Sequence, residues 1–576
     1  MTVSVSSGTP ALGEKGRPRT SPITIGARLF GAALAAMIAA TPALADALID
    51  NVQGMTLDQD GKVIHFTGLL MTPQGKITKL LKDGDKRPDK LDWRSDMHGK
   101  VMLPGFIDAH GHVMDLGFRA LELDLSDTRS LDEAKAKITA YIAANPDRKW
   151  VLGGGWDQEK WGLGRFPTAA DLDSVAQGRP ILLDRIDGHA AWADSAAMKE
   201  AGITPATKAP PGGQIIDGVF VDAARQMIAK AAPQPLARER DLAFIKAEQM
   251  LLADGITATT DMRTTLDDWL VYRRVADAGN LRLRIMSYAD SIETANRAAG
   301  GGPSPWLYAD KLEMGGVKFF ADGALGSRGA CLKAPYADAP KSSGQCFQTD
   351  DQLRNNMSRA AMDGFQVAVH AIGDKANAEV LDAIDAIADT YKGDRRWRIE
   401  HAQIVDPVDL PRFAQHGVIA SMQPIHAVSD MHMAEARLGA GRLAGAYAWH
   451  SMLANGVPLA FGSDYPNDDF NPFHGWVAGF TRQDAQDQPF GGWQPQERIS
   501  REQAWRAYTI GGAYAAFAED RIGRLAPGLW ADFIIVDQDP LLASPGQLRD
   551  MKVDQTWVGG QMMWSDGQGG GAKDGR

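Results

Sequence analysis

The chain has 576 residues, 44% hydrophobic and 23% charged, enough for one large globular domain with a smaller companion. The formal net charge of −11 is spread over mixed-sign segments with no basic patch, which excludes nucleic acid as an expected partner and says little about substrate.

In chain order, Lys15, Arg17, Arg19 and Arg28 precede the apolar stretch LFGAALAAMIAA, Leu29 to Ala40. TPALADA follows, with Ala43 and Ala45 as a small-x-small cleavage signal. These are the parts of a secretory signal peptide, predicted over residues 1–45. The apolar core is shorter than the roughly 20 residues needed to span a bilayer, so no stable membrane anchor is expected after cleavage. The predicted location is the periplasm or the exterior. There Cys331 and Cys346 are expected to form one bridge, with two free thiols as the alternative. Two cysteines rule out a zinc site built mainly of thiolates.

Residues 46–102 hold short β-like runs such as KVIHFTGLL, with turn signals such as QDGK and KDGD. Residues 518–565 return to strands, and the two ends are expected to complete one β-sandwich-like domain. The tail at 566–576 reads as flexible. Between them, over 103–517, eight short apolar runs alternate with helical or loop stretches. They are LPGFIDAH, ITATTDM, LRLRIMSYAD, MGGVKFFADG, FQVAVHAIGD, WRIEHAQI, GVIASMQP and VPLAFGSDYP. That alternation predicts an α/β fold, a (β/α)₈ TIM-like barrel. Residues from about 115 to 250 are too long for one βα unit and predict an insertion over the barrel mouth after the first strand. GGG at 153–155 lacks a following Lys-Ser or Lys-Thr and reads as a turn rather than a phosphate loop.

The polar residues fall where such a barrel does chemistry, at the C-terminal ends of its strands. His110 and His112 close the first run, and alternate strand residues share a face, so both imidazoles can meet one ion. His370, His401 and Asp464 end later runs, and Lys318 lies within GGVKFF. Each has a plainer reading. A lone strand-end histidine is more often structural, Asp464 could cap a helix, and Lys318 could reach water along its stem. Their coincidence in position favours a metal site. His416, His432 and His450 show no such pattern and read as surface or packing residues.

PGFIDAHGH, EHAQ, GSD and GRLAPGLWADFIIVD together resemble the metal-dependent amidohydrolase superfamily. GWDQEKWG, FPTAADLD, DGHAAW, KFFADGALGSR and VHAIGD are similar to its amidohydrolase 3, or YtcJ-like, group. The resemblance spans nearly all of residues 46–565. It implies that His110, His112 and Asp464 bind the more buried of two divalent ions, and that His370 and His401 bind the other. It further implies that Lys318 is carboxylated and bridges them, and that Asp464 carries the proton. The expected cofactor is one or two zinc-like ions. The expected activity is hydrolysis of an amide or other non-peptide C–N bond of a small molecule. An esterase, lactonase or deaminase on the same site, and a metal-free binding protein, are the alternatives. His189, Arg328, Trp156 and Asp157 are candidate substrate contacts, Arg328 through a substrate carboxylate or else as a salt bridge that ties its loop. Asp194 stands where related sequences often have Asn, which weakens any substrate contact through it. A homo-oligomer is left open.

Overall fold

The computed structural model describes residues 46–567. The expected signal peptide and residues 568–576 of the expected tail lie outside the described residues. The central element is an eight-stranded parallel sheet in strict chain order. Its strands are Phe106–Gly111, Ile256–Thr264, Arg284–Ala289, Leu312–Phe320, Gln366–Ala371, Arg398–His401, Ile419–Met422 and Leu459–Phe461. Each of the eight apolar runs supplies one strand. They are apolar on both faces because a parallel barrel covers both, with packed side chains inside and helices outside.

The eighth strand meets the first where Gly111 bridges to Tyr465. The His112 N–H donates to the Tyr465 carbonyl at 2.8 Å, and the Asp464 N–H to that of His110 at 2.7 Å. Side chains reinforce the seam: Asp108 accepts from the Ser463 N–H at 3.1 Å and from its hydroxyl at 2.6 Å. The seam explains the glycine between the two histidines, since a Cβ on Gly111 would fall 2.1 Å from the Tyr465 ring.

Helices cover the barrel by burying one stripe each. Asp374–Ile387, after the fifth strand, buries Val380, Leu381, Ile384 and Ile387 among others. Truncating a residue such as Ile384 to Ala would cost about 2–5 kcal/mol. The short helix Gly512–Ala515 closes the base, where the Ala515 carbonyl accepts from the Gln366 amide at 2.9 Å.

A second eight-stranded sheet joins the two chain ends. Ala47–Leu57, Val63–Met71, Ile77–Leu81, Arg94–Asp96 and Val101–Pro104 combine with Phe533–Val536, Val553–Val558 and Gln561–Ser565. The sequence run LPGFIDAH is therefore divided. Leu103 and Pro104 pair with Ile534 and Phe533 in this sheet, and the barrel strand begins only at Phe106.

The insertion is more than a loop. Leu123–Asp124, Val151–Trp156, Ile181–Arg185, Ala190–Ala193, Gly213–Ile216 and Val219–Asp222 form a six-stranded sheet. It has its own core, with Trp156 and Trp192 fully buried among Leu123, Ile138 and Leu183. GGG at 153–155 is a strand here, not a turn: a Cβ on Gly153 would fall 2.0 Å from the Leu123 carbonyl, so side chains are excluded where the strands crowd. Cys331 and Cys346 are bridged, with Cα atoms 5.2 Å apart. No helix among the described residues is long and apolar enough to cross a membrane.

Candidate metal centre

The six strand-end residues converge at the C-terminal mouth of the barrel, and all line a cavity of about 750 Å³. One ligand atom each from His110, His401 and Asp464 lies within 4.8 Å of the others. His112 Nε2 is 3.0 Å from Asp464 Oδ1, and Lys318 Nζ is 3.2 Å from His110 Nε2. His370 joins through ring contact with His401, their centroids 4.6 Å apart. Two of these residues sit on strained backbone: φ is +73° at His401 and +61° at Asp464, the left-handed region that non-glycine residues seldom occupy.

The outer nitrogens of the histidines are already committed. His110 Nδ1 is 2.6 Å from Glu400 Oε2, His112 Nδ1 is 2.7 Å from the Met262 carbonyl, and His401 Nδ1 is 2.9 Å from Gln423 Oε1. The acceptors behind His110 and His401 fix the proton on Nδ1, so those Nε2 atoms keep a lone pair for the interior, while His112 Nε2 hydrogen-bonds to Asp464 Oδ1. Burial, helped by the Lys318 cation, pulls His110 down to about 4. Burial holds His370 and His401 well below the ordinary imidazole range too. Burial works against the Asp464 carboxylate, but the hydrogen bond to His112 and the surrounding imidazoles win and keep it ionised. Burial pulls Lys318 down to about 8 against the attraction of Glu400 and Asp464. Neutral imidazoles, an ionised carboxylate and a lysine eased toward its neutral form are the states a divalent cation requires of its ligands, so the donor set fits a metal.

The substrate-contact candidates divide. His189 and Asp157 line the cavity. Asp157 there pairs with Arg185 at 2.9 Å. Trp156 does not reach it. Its ring is 0% exposed, and its indole N–H donates to the Leu183 carbonyl within the inserted core. Arg328 is absent from the wall as well, because Asp338 holds its guanidinium at 2.8 Å and ties the loop. Asp194 caps the helix Ser195–Glu200, accepting from the Ala197 N–H. His432, expected to be a surface or packing residue, lines the cavity, as does His426, whose Nε2 is 3.7 Å from Asp464 Oδ2. Both lie on the helix Pro424–Leu438, so no strand-end pattern marked them.

Comparison with known proteins agrees with this geometry. Residues 95–563 match the sequence model of the Amidohydrolase family. The chain is 32% identical over 487 residues to the putative amidohydrolase YtcJ of Bacillus subtilis, covering 81% of this chain and 90% of that protein. It is 27% identical over 497 residues to the N-substituted formamide deformylase of Arthrobacter pascens, covering 81% and 89%. A crystal structure of an uncharacterised metal-dependent hydrolase from Pyrococcus horikoshii superposes with a TM-score of 0.71 at 25% identity, over 87% of this chain and 99% of that one. With strand order, ligand convergence and sequence match in agreement, this chain is a hydrolytic enzyme and belongs to the amidohydrolase family.

Proposed function

We propose that the protein is a divalent-metal-dependent hydrolase that cleaves an amide or other non-peptide carbon–nitrogen bond of a small molecule. The convergence of His110, His401 and Asp464 on one point of the cavity carries this reading. His110, His112 and Asp464 would hold one ion and His370 and His401 a second, with a carboxylated Lys318 between them. Histidine nitrogens with carboxylate oxygens suit zinc. When bound, such ions lower the pKa of water and polarise a carbonyl oxygen.

The chain's own residues do the rest. Asp464 accepts a proton from the attacking water and returns it to the leaving nitrogen, a base and then an acid in one turnover. The buried, ionised state of this carboxylate supports the first half of that role. Asn467 donates its side-chain N–H to the second oxygen at 3.1 Å and holds the carboxylate's orientation, with His426 Nε2 3.7 Å away. Ile186, Phe320, Leu325, Val428 and Met433 give the wall apolar surface against which a small molecule loses water. The relative named for N-substituted formamides supports C–N over C–O chemistry. A deaminase would have no need of Lys318, which is buried beside His110. Export belongs to the same proposal, supported by the basic-apolar-small pattern of residues 15–45 and by the Cys331–Cys346 bridge.

The test is elemental analysis together with a hydrolysis screen of N-acyl amino acids, N-substituted formamides, dipeptides and lactones. Turnover of an amide or formamide by protein holding one or two divalent ions per chain is expected. Turnover of lactones alone would replace the reading with an esterase, and protein that binds no divalent ion would refute it.

A further inference from the structure

The helix Pro424–Leu438 and the segment after the sixth barrel strand build a corner of the cavity away from the candidate metal ligands. Gln403 follows His401 by two positions, and Asp430 stands one helical turn beyond His426, about 6 Å along the axis. Both line the cavity. One end of each side chain is locked to the other. The Gln403 amide donates to Asp430 Oδ2 at 2.6 Å and to the Tyr447 hydroxyl, which itself donates to the same Oδ2 at 2.5 Å. Tyr447 is fully buried.

A carboxylate only accepts, so the Gln403 atom beside it is the amide nitrogen and the carbonyl Oε1 is turned the other way. That oxygen and Asp430 Oδ1 have no hydrogen-bond partner among the described residues, although Gln403 is only 4% exposed. Two acceptors therefore face the cavity from one corner with no donor to meet them.

The charge of the corner is uncompensated too. Burial lifts Asp430 to about 6, which leaves it ionised at neutral pH, and it forms no ion pair among the described residues. Asp468, bound by the Ser429 hydroxyl at 2.6 Å, forms none either. The cations of the wall are engaged elsewhere. Arg185 lies 2.9 Å from Asp157 and 2.6 Å from Asp187, and Lys160 donates to the Ser126 carbonyl at 2.5 Å. Val428 and Met433, on the same helix as Asp430, line the cavity with apolar surface suited to a methylene chain.

We propose that Gln403 Oε1 and Asp430 Oδ1 form a subsite for a primary ammonium group, and that the substrate is a small amide carrying such a cation a few bonds from its scissile C–N bond. This rests on the proposed C–N hydrolysis and names its substrate class. A primary ammonium has three N–H donors and a positive charge, so it pairs both oxygens and offsets Asp430. An alkyl group in its place would leave both acceptors unpaired, which costs binding, and an anion would be repelled.

The test compares kcat/KM for N-(ω-aminoalkyl)formamides of two to six methylenes with n-alkylformamides and N-formyl-ω-amino acids of matching length. At its best chain length the ammonium compound should be preferred over the alkyl one by about 10- to 100-fold, and the anionic one should be poorest. Asp430→Asn should bring the ammonium-to-alkyl ratio close to one, mainly through KM, with metal content unchanged. Gln403→Met should lower it part of the way. An undiminished ratio in either variant would overturn the shared subsite. A wild-type preference for the alkyl or anionic compounds would overturn it whether or not the variants fold, and would leave C–N hydrolysis standing. Absence of turnover on every compound would count against the proposed function for formamides, and calorimetry with 1,4-diaminobutane and butane-1,4-diol would then decide the subsite. Binding of the diamine alone, lost in Asp430→Asn, would support it; equal binding of both, or of neither, would contradict it.

Discussion

Glu400 Oε2 lies 2.6 Å from His110 Nδ1, and neither side chain has any exposed surface. Burial alone would drive a proton onto Glu400, but the Arg398 guanidinium, 2.7 Å from Oε1, holds the carboxyl well below the usual range. Arg398 also donates to the Ala109 carbonyl at 2.6 Å, so one buried cation fixes both the strand and the acceptor behind the first histidine.

Glu400→Gln keeps an oxygen that can accept from His110 but leaves the buried Arg398 cation without its counter-charge, so it should also lower stability by about 3–5 kcal/mol. It should weaken metal affinity by about 10- to 100-fold, the usual cost of losing the group behind a metal-bound histidine. Competition with a chelator measures this. Unchanged affinity would mean that Glu400 does not orient His110.

Asp464→Asn keeps the shape of the side chain and loses its basicity. Much of the metal should remain, held by the histidines, while turnover should fall by about 100- to 10,000-fold. Full activity would remove Asp464 as the proton carrier.

Trp156→Ala tests the correction to the wall of the cavity. The ring packs edge-on against Trp192, with centroids 6.0 Å apart, inside the inserted core. Its loss should destabilise that core by about 3–5 kcal/mol. Metal content should not change. Urea unfolding followed by tryptophan fluorescence, alongside elemental analysis, separates this from a role in the site.

Replacing both Cys331 and Cys346 by serine opens a link between residues 15 apart, which is worth about 3 kcal/mol by the chain-entropy account. The effect should reach His370. Asp322 accepts from the Cys331 N–H at 2.8 Å and from the Ile372 and Gly373 N–H groups just beyond that histidine. The double variant should be less stable and release part of its metal more readily under chelation. Metal release identical to wild type would confine the bridge to stability.

The barrel was legible in the sequence because each strand is a short apolar run ending in a polar residue, and strand geometry sends alternate residues to one face. His110, His112, Lys318, His370, His401 and Asp464 follow from that rule and from the family resemblance. The residues that orient them do not. Glu400 sits beside His401 in EHAQ, and nothing local shows that it reaches His110, 290 positions away. Asp222 looks like an ordinary strand end until tertiary structure sets it against His189. Arg328 and Trp156 lie outside the cavity lining for the converse reason. Their motifs looked functional, but Asp338 and the inserted core take up their side chains. Pairings across long sequence separations decide these cases, and a single sequence does not display them.

Anomalous X-ray diffraction from crystals of the purified protein, recorded at the absorption edge of the metal found by elemental analysis, tests the central claim most directly. The account predicts one or two anomalous peaks among His110, His112, Lys318, His370, His401 and Asp464, lost or weakened in His110→Ala. Peaks elsewhere on the molecule, or a site of undiminished occupancy in His110→Ala, would contradict it.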